Sequence, residues 1–130
     1  MHDKAPQNNK EHKEEDLSIK DHYIREVTKL KDMAVERLSK NNFTRPGNPL
    51  EIINTSYDNL LNILDLDEQK YLSDLKSVNE NQTLSPEEKD KKDEENTIIF
   101  CQKLDKQMAG FIGLCDILEE SVIRNKETNN

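Results

Sequence analysis

Two thiols, three imidazoles and a dense set of carboxylates are the groups in this 130-residue chain whose types could do chemistry. Nucleophilic catalysis needs a thiolate beside a base, yet no histidine falls on an apolar stripe. Cys101 and Cys115 lie on or beside an apolar stripe, where the surroundings raise a thiol pKa, so both read as reduced small hydrophobes. Fourteen residues apart on one helix, they stand roughly 21 Å apart, beyond the ~7 Å reach of a disulfide. His2, His12 and His22 lack metal-ligand spacing: no glutamate precedes a histidine by three, as a helical di-iron site requires, and the His-Glu-x-x-His pattern is missing. Asp65, Asp67 and Gln69 mimic half a calcium loop, but Lys70 and Lys76 occupy the positions of its glycine and bidentate glutamate, so the match reads as chance. Gly47 stands between prolines, and Gly110 and Gly113 fall inside a helical pattern, which excludes a phosphate-cradling loop. Without Trp, and with three Tyr and three Phe, an aromatic stacking platform is not expected. The residues therefore predict no catalytic, cofactor or metal site, and a protein that is not an enzyme.

Composition narrows the partners. There are 27 Asp+Glu against 19 Lys+Arg, a net charge of −8, and no basic cluster free of acids, so nucleic acid is not an expected ligand. Hydrophobic residues make up 32% of the chain and charged ones 35%, so burial must be concentrated in a few stripes. No apolar run approaches the ~18 residues that span a bilayer, and Met1 to Asp16 has no apolar core of the kind a secretory signal carries. The expectation is a cytoplasmic protein without membrane contact, or one exported by a route without a Sec signal.

Three elements follow from caps and periodicity. Met1 to Asp16 reads as a disordered tail. Ser18 caps a first helix to about Lys40, with Tyr23, Ile24, Val27, Leu30, Ala34 and Leu38 on one face. The Pro/Gly-dense stretch Thr44 to Pro49 is a turn; Asn48 as cap, Pro49 and Glu51 then start a second helix to about Glu80. Leu50, Tyr57, Leu64, Tyr71 and Val78 follow at sevens, with Ile53, Leu60, Leu61, Leu72 and Leu75 filling the same stripe. Tyr57 and Tyr71 read as core residues with wet hydroxyls. The acids Asp65, Asp67 and Glu68 interrupt that stripe and offer a competing start for a fresh helix. Ser85-Pro86-Glu87-Glu88 begins a third helix, charged all round to Glu95 and apolar from Thr97, ending near Asn125 before a frayed 126–130.

In the third helix Leu104, Met108, Phe111, Cys115, Leu118 and Val122 recur at steps of four and three, a seam of coiled-coil character. The fold class expected is all-α: an antiparallel three-helix bundle over 17–125 with a long central C-terminal helix. At ~100° per residue, Ile99, Gly110, Leu114 and Ile117 form a second strip nearly opposed to the seam, and Gly113 extends it. Those residues are the candidate partner-binding site. Two glycines in a helix interior, each costing about 1 kcal/mol relative to Ala, suggest a close backbone neighbour. That neighbour is another chain, or else the first or second helix of this one.

The Asn-, Lys- and Glu-rich composition resembles that of proteins from AT-rich bacterial genomes, and Glu119-Glu120 followed by a small polar tail resembles C-terminal signals on effectors of type IV secretion systems. That resemblance implies a bacterial secreted effector. The residues themselves favour a small acidic protein-binding module, such as a regulator, adaptor, chaperone or inhibitor. Its rivals are a structural homo-oligomer, a homodimer in its simplest form, and an acidic mimic of nucleic acid.

Overall fold

The structure, a computed structural model, describes residues 18–129 and their side chains as far as Asn125. The chain forms three helices: α1 (Ile19–Leu38), α2 (Pro49–Glu80) and α3 (Pro86–Asn129). Each starts where the sequence places a cap. Ser18 accepts the Asp21 N–H, and Asn48 accepts the Glu51 N–H with Pro49 in the first turn. At α3 the box closes in both directions, Glu88 N–H to Ser85 Oγ at 3.1 Å and Ser85 N–H to Glu88 Oε1 at 2.9 Å. Hydrogen bonding to the carboxylate from the Ser85 backbone N–H first, and then from its side chain, holds the Glu88 carboxyl below its ordinary pKa. Gly47 takes φ 73°, a left-handed turn conformation that glycine adopts without strain. The tail expected over Met1 to Asp16 lies outside the described residues.

Cross-helix contacts give the directions. Lys20 meets Asp65 while Thr28 meets Tyr57, so α1 and α2 are antiparallel. Tyr71 meets Thr97 while Tyr57 meets Phe111, so α2 and α3 are antiparallel as well. Tyr23 to Asp105 and Arg37 to Glu119 share one offset of 82 residues, so α1 and α3 run parallel and in step. The result is the expected antiparallel three-helix bundle, with α3 packed against both other helices.

The core follows a single rule of spacing. Its buried residues are Val27, Ala34 and Leu38 on α1, Ile53, Leu60 and Leu64 on α2, and Phe100, Leu104, Phe111 and Cys115 on α3, at steps of seven and four. One narrow arc per helix is thus removed from water, and no polar residue is buried among the described residues. The expected seam of α3 holds, with Leu104, Phe111 and Cys115 buried and Met108, Leu118 and Val122 packed at its margin. Leu72 departs from expectation at 53% exposed. It lies past the start of α1, where α3 alone flanks α2, and about 80° around the helix from Leu64.

The acids of α2 do not break it. Lys20 of α1 reaches Asp65 at 2.5 Å and Glu68 at 3.1 Å, so these carboxylates serve as side-by-side anchors on a continuous helix instead of capping a new one. The half-match to a calcium loop therefore lies on helix, without the loop it would need. α3 runs to Asn129, past the expected end near Asn125. The Glu120 to Arg124 pair at 3.6 Å spans one turn of this last stretch, and no Gly or Pro stops it.

Because α1 starts level with Asp65 and Phe100, the far halves of α2 and α3 project past it as a two-helix arm over 69–99. The arm holds no fully buried residue. Its base is the stack of Tyr71 on Phe100, centroids 4.4 Å apart and planes 6° from parallel. Thr97 Oγ1 donates to the Asp93 carbonyl at 2.9 Å, which leaves it to accept the Tyr71 hydroxyl at 2.7 Å. At the tip, Lys89 Nζ donates to the Asn79 carbonyl at 2.9 Å and ties the start of α3 to the end of α2.

Leu104→Ala should lower stability by roughly 2 to 5 kcal/mol, because the side chain is fully buried, and Leu118→Ala should lower it by less. Denaturant titration of both variants checks the order, and a cost below about 1 kcal/mol at Leu104 would move the seam to the surface. Native-state hydrogen exchange should show amides of 72–96 opening at lower free energy than those of 53–64 and 100–115. Equal protection in both segments would show that the arm is packed as well as the body.

Candidate functional site

The outer side of α3 is the surface on which the candidate residues fall. Phe100, Leu104, Phe111 and Cys115 point inward, and at ~100° per residue Gly113 lies diametrically opposite Leu104. Around it, Gly110 is exposed, Gly113 and Leu114 are half-buried, and Ile117 is 63% exposed. A Cβ added at Gly110 or Gly113 would meet nothing within 4 Å. Neither glycine therefore accommodates α1 or α2, which removes the intramolecular reading of their close packing.

The structure brings Gly110 and Leu114 together. With Ser56, Asn59 and Ile63 of α2 they line a shallow groove of about 240 Å³ over Leu60 and Phe111. Ile63, 38% exposed, is a part of this surface that the sequence reading missed. It falls off the heptad stripe of α2, and only the pairing of α2 with α3 reveals that it adjoins Gly110.

Ile99 is not brought to the same place. Half exposed, it lies about 16 Å along α3 from Gly110, with Lys103 and Lys106 between them on the same side. Its own recess, at the base of the arm, is lined by Asp67, Lys70, Asp74, Asn96 and Lys103, and Asp67 Oδ2 is buried there without a hydrogen-bond partner. Ile99 thus stands among charged side chains beside the Tyr71–Phe100 stack, apart from the small and apolar face around Gly113.

The remaining groups bear on chemistry. Cys115 is buried, and desolvation, followed by the charges of Glu119 and Asp116, raises its pKa, which disfavours the nucleophilic thiolate. Cys115 points into the bundle, so Cys101 of a second chain would have no open path to it across paired α3 helices. His22 sits exposed on α1, and no three His, Cys, Asp or Glu side chains among the described residues cluster as metal ligands. No helix among them is long and apolar enough to cross a membrane.

Polar bridges fix the flank opposite the groove. Arg37 Nε donates to Glu119 Oε1 at 2.8 Å, and the Tyr23 hydroxyl donates to Asp105 Oδ1 at 2.5 Å. Because ionised Tyr23 would face the Asp105 carboxylate after losing that bond, its pKa is pushed up to about 12. The bonded form belongs to the folded state, so its stabilisation is complete below about pH 10, the unfolded value, and fades as pH rises through about 12. Asp105→Asn should bring Tyr23 back towards pH 10. Ultraviolet titration of phenolate absorbance checks this; superimposable curves for the two proteins would mean that the bond does not form.

No protein-family model, curated protein or solved structure matches the chain.

Proposed function

We propose that the protein is a small acidic protein-binding module that presents the outer face of α3 to another polypeptide, as a regulator, adaptor, chaperone or inhibitor does. One observation carries this reading: the face around Gly110, Gly113, Leu114 and Ile117 is small or apolar, and a Cβ at Gly110 or Gly113 would meet nothing within 4 Å. A helix interior that keeps two glycines forgoes about 1 kcal/mol at each relative to Ala. When no internal atom comes near them, a close approach from outside is the physical use that remains. The Cys115 thiol is buried with a raised pKa, and Asp65 and Glu68 are bridged by Lys20, features that favour recognition over catalysis.

Ile117→Asp is the sharpest probe, since a side chain 63% exposed can be made charged without unfolding the bundle. In capture from cells of the source organism, a partner held by the native chain and identified by mass spectrometry should be lost by Ile117→Asp. It should be retained by Met33→Asp, which alters an exposed residue of α1. With the purified partner, Ile117→Asp should weaken binding by about 30-fold or more, the loss expected at the centre of an interface. Equal binding by native chain and Ile117→Asp would place the contact elsewhere and overturn the assignment.

A further inference from the structure

We infer that the outer face of α3 pairs with the same face of a second copy, antiparallel about a two-fold axis through Gly113. This inference rests on the reading of that face as a contact surface and names its occupant. The argument is charge complementarity under that symmetry. A two-fold axis perpendicular to the helix at Gly113 brings each residue opposite the one equally far away on the other side. Lys106, seven residues before Gly113, then faces Glu120, seven residues after it, and the pair occurs twice. Both side chains are exposed on the side of α3 away from the core, and each lies within about 20° of Gly113 around the helix.

The rest of the face agrees. Ala109 falls opposite Ile117, so the most exposed apolar side chain meets a small apolar one. Of the other charged residues of 102–124, Arg124, bridged to Glu120, falls on this face opposite Gln102 and Asp116 at its edge opposite Gly110, while Lys103, Asp105 and Glu119 stand about 80° or more around the helix from Gly113, the last two against α1. Gly113 meets Gly113 at the axis, and with open space there the two backbones can approach at or below the usual 8 to 10 Å between helix axes.

The face from 102 to 124 is roughly 33 Å long and one helix wide. It is smaller than the interfaces of permanent dimers, so the pairing belongs among reversible ones. Sedimentation equilibrium of the full chain at low salt, from about 1 μM to 1 mM, should show a monomer–dimer equilibrium. Lys106→Glu and Glu120→Lys should each weaken it by about tenfold or more, and the double variant carrying both should return it to within about threefold of the native value. Glu120→Lys discriminates well, because it moves the net charge towards zero and would strengthen association that was limited by general repulsion. Gly113→Leu should abolish the dimer while circular dichroism shows the helices intact. A native chain that stays monomeric over the whole range overturns the pairing, as does a dimer indifferent to the single reversals or a double variant that fails to recover. Monomeric behaviour would leave the wider reading standing on its own test, the loss of a foreign partner on Ile117→Asp.

Discussion

The structure depends on the burial of one narrow arc from each helix, meeting where Val27, Ile53, Leu64 and Leu104 are almost fully removed from water. With so polar a composition there is apolar material for little more, and the steps of seven and four keep it on one side of each helix. Such an arc sets which sides face inward without fixing how far one helix slides along another, since a shift by one heptad presents similar residues. Polar contacts at the margins remove that ambiguity. Lys20 across Asp65 and Glu68, Tyr23 on Asp105, and Arg37 on Glu119 each exist at one axial alignment only. Exposed pairs of this kind contribute little stability, and their role here is registry.

The middle of the bundle shows how apolar burial and registry are combined. Tyr57 lies tilted against Phe111, centroids 6.2 Å apart, its hydroxyl bonded to Thr28 Oγ1 at 2.5 Å and its ring beneath Lys31 Nζ at 5.0 Å. Lys31 stands seven residues before Leu38, at a stripe position where an aliphatic residue would be expected. Its stem covers apolar surface while its ammonium stays at the rim over the aromatic face. One layer therefore contains a ring for packing, a hydroxyl for direction and a charge for solubility. The arm beyond Phe100 has the Tyr71 stack and the Thr97 hydroxyl relay but lacks a third helix, which is why burial stops there although the heptad spacing continues to Val78.

Much of this was legible in the sequence, for local reasons. Ser18, Asn48 and Ser85 are short polar side chains placed to accept N–H groups of a first turn, a bond made within three residues and readable without tertiary knowledge. The seam through Leu104, Phe111 and Cys115 was legible because helical period and burial coincide there. What was not legible depends on the neighbouring helix. Asp65 and Asp67 resembled caps of a fresh helix, but α2 is continuous, and Asp65 with Glu68 meets Lys20, 45 residues away from Asp65. Leu72 resembled stripe material because periodicity does not report where a neighbouring helix begins. In the candidate site, Gly110, Gly113, Leu114 and Ile117 were grouped from the projection of one helix. Ile99 was grouped with them by angle alone, although two lysines separate it along the axis, and Ile63 was missed because it belongs to another helix.

The glycines of α3 are where the internal account of stability does not close. A glycine at a turn such as Gly47 has a reason in its own dihedral, and a glycine at a tight crossing has one in the atoms that press on it. Gly110 and Gly113 have neither: both are helical, and the space where a Cβ would stand is open. Alanine at either position would favour the helix by about 1 kcal/mol without touching a neighbouring side chain. Folding of the single chain thus gives no physical reason for glycine at these positions. The open space itself is the property that distinguishes them: it lets a second backbone come close at the point on α3 farthest from the bundle's own core, and that is the physical basis for reading this face as one made for contact.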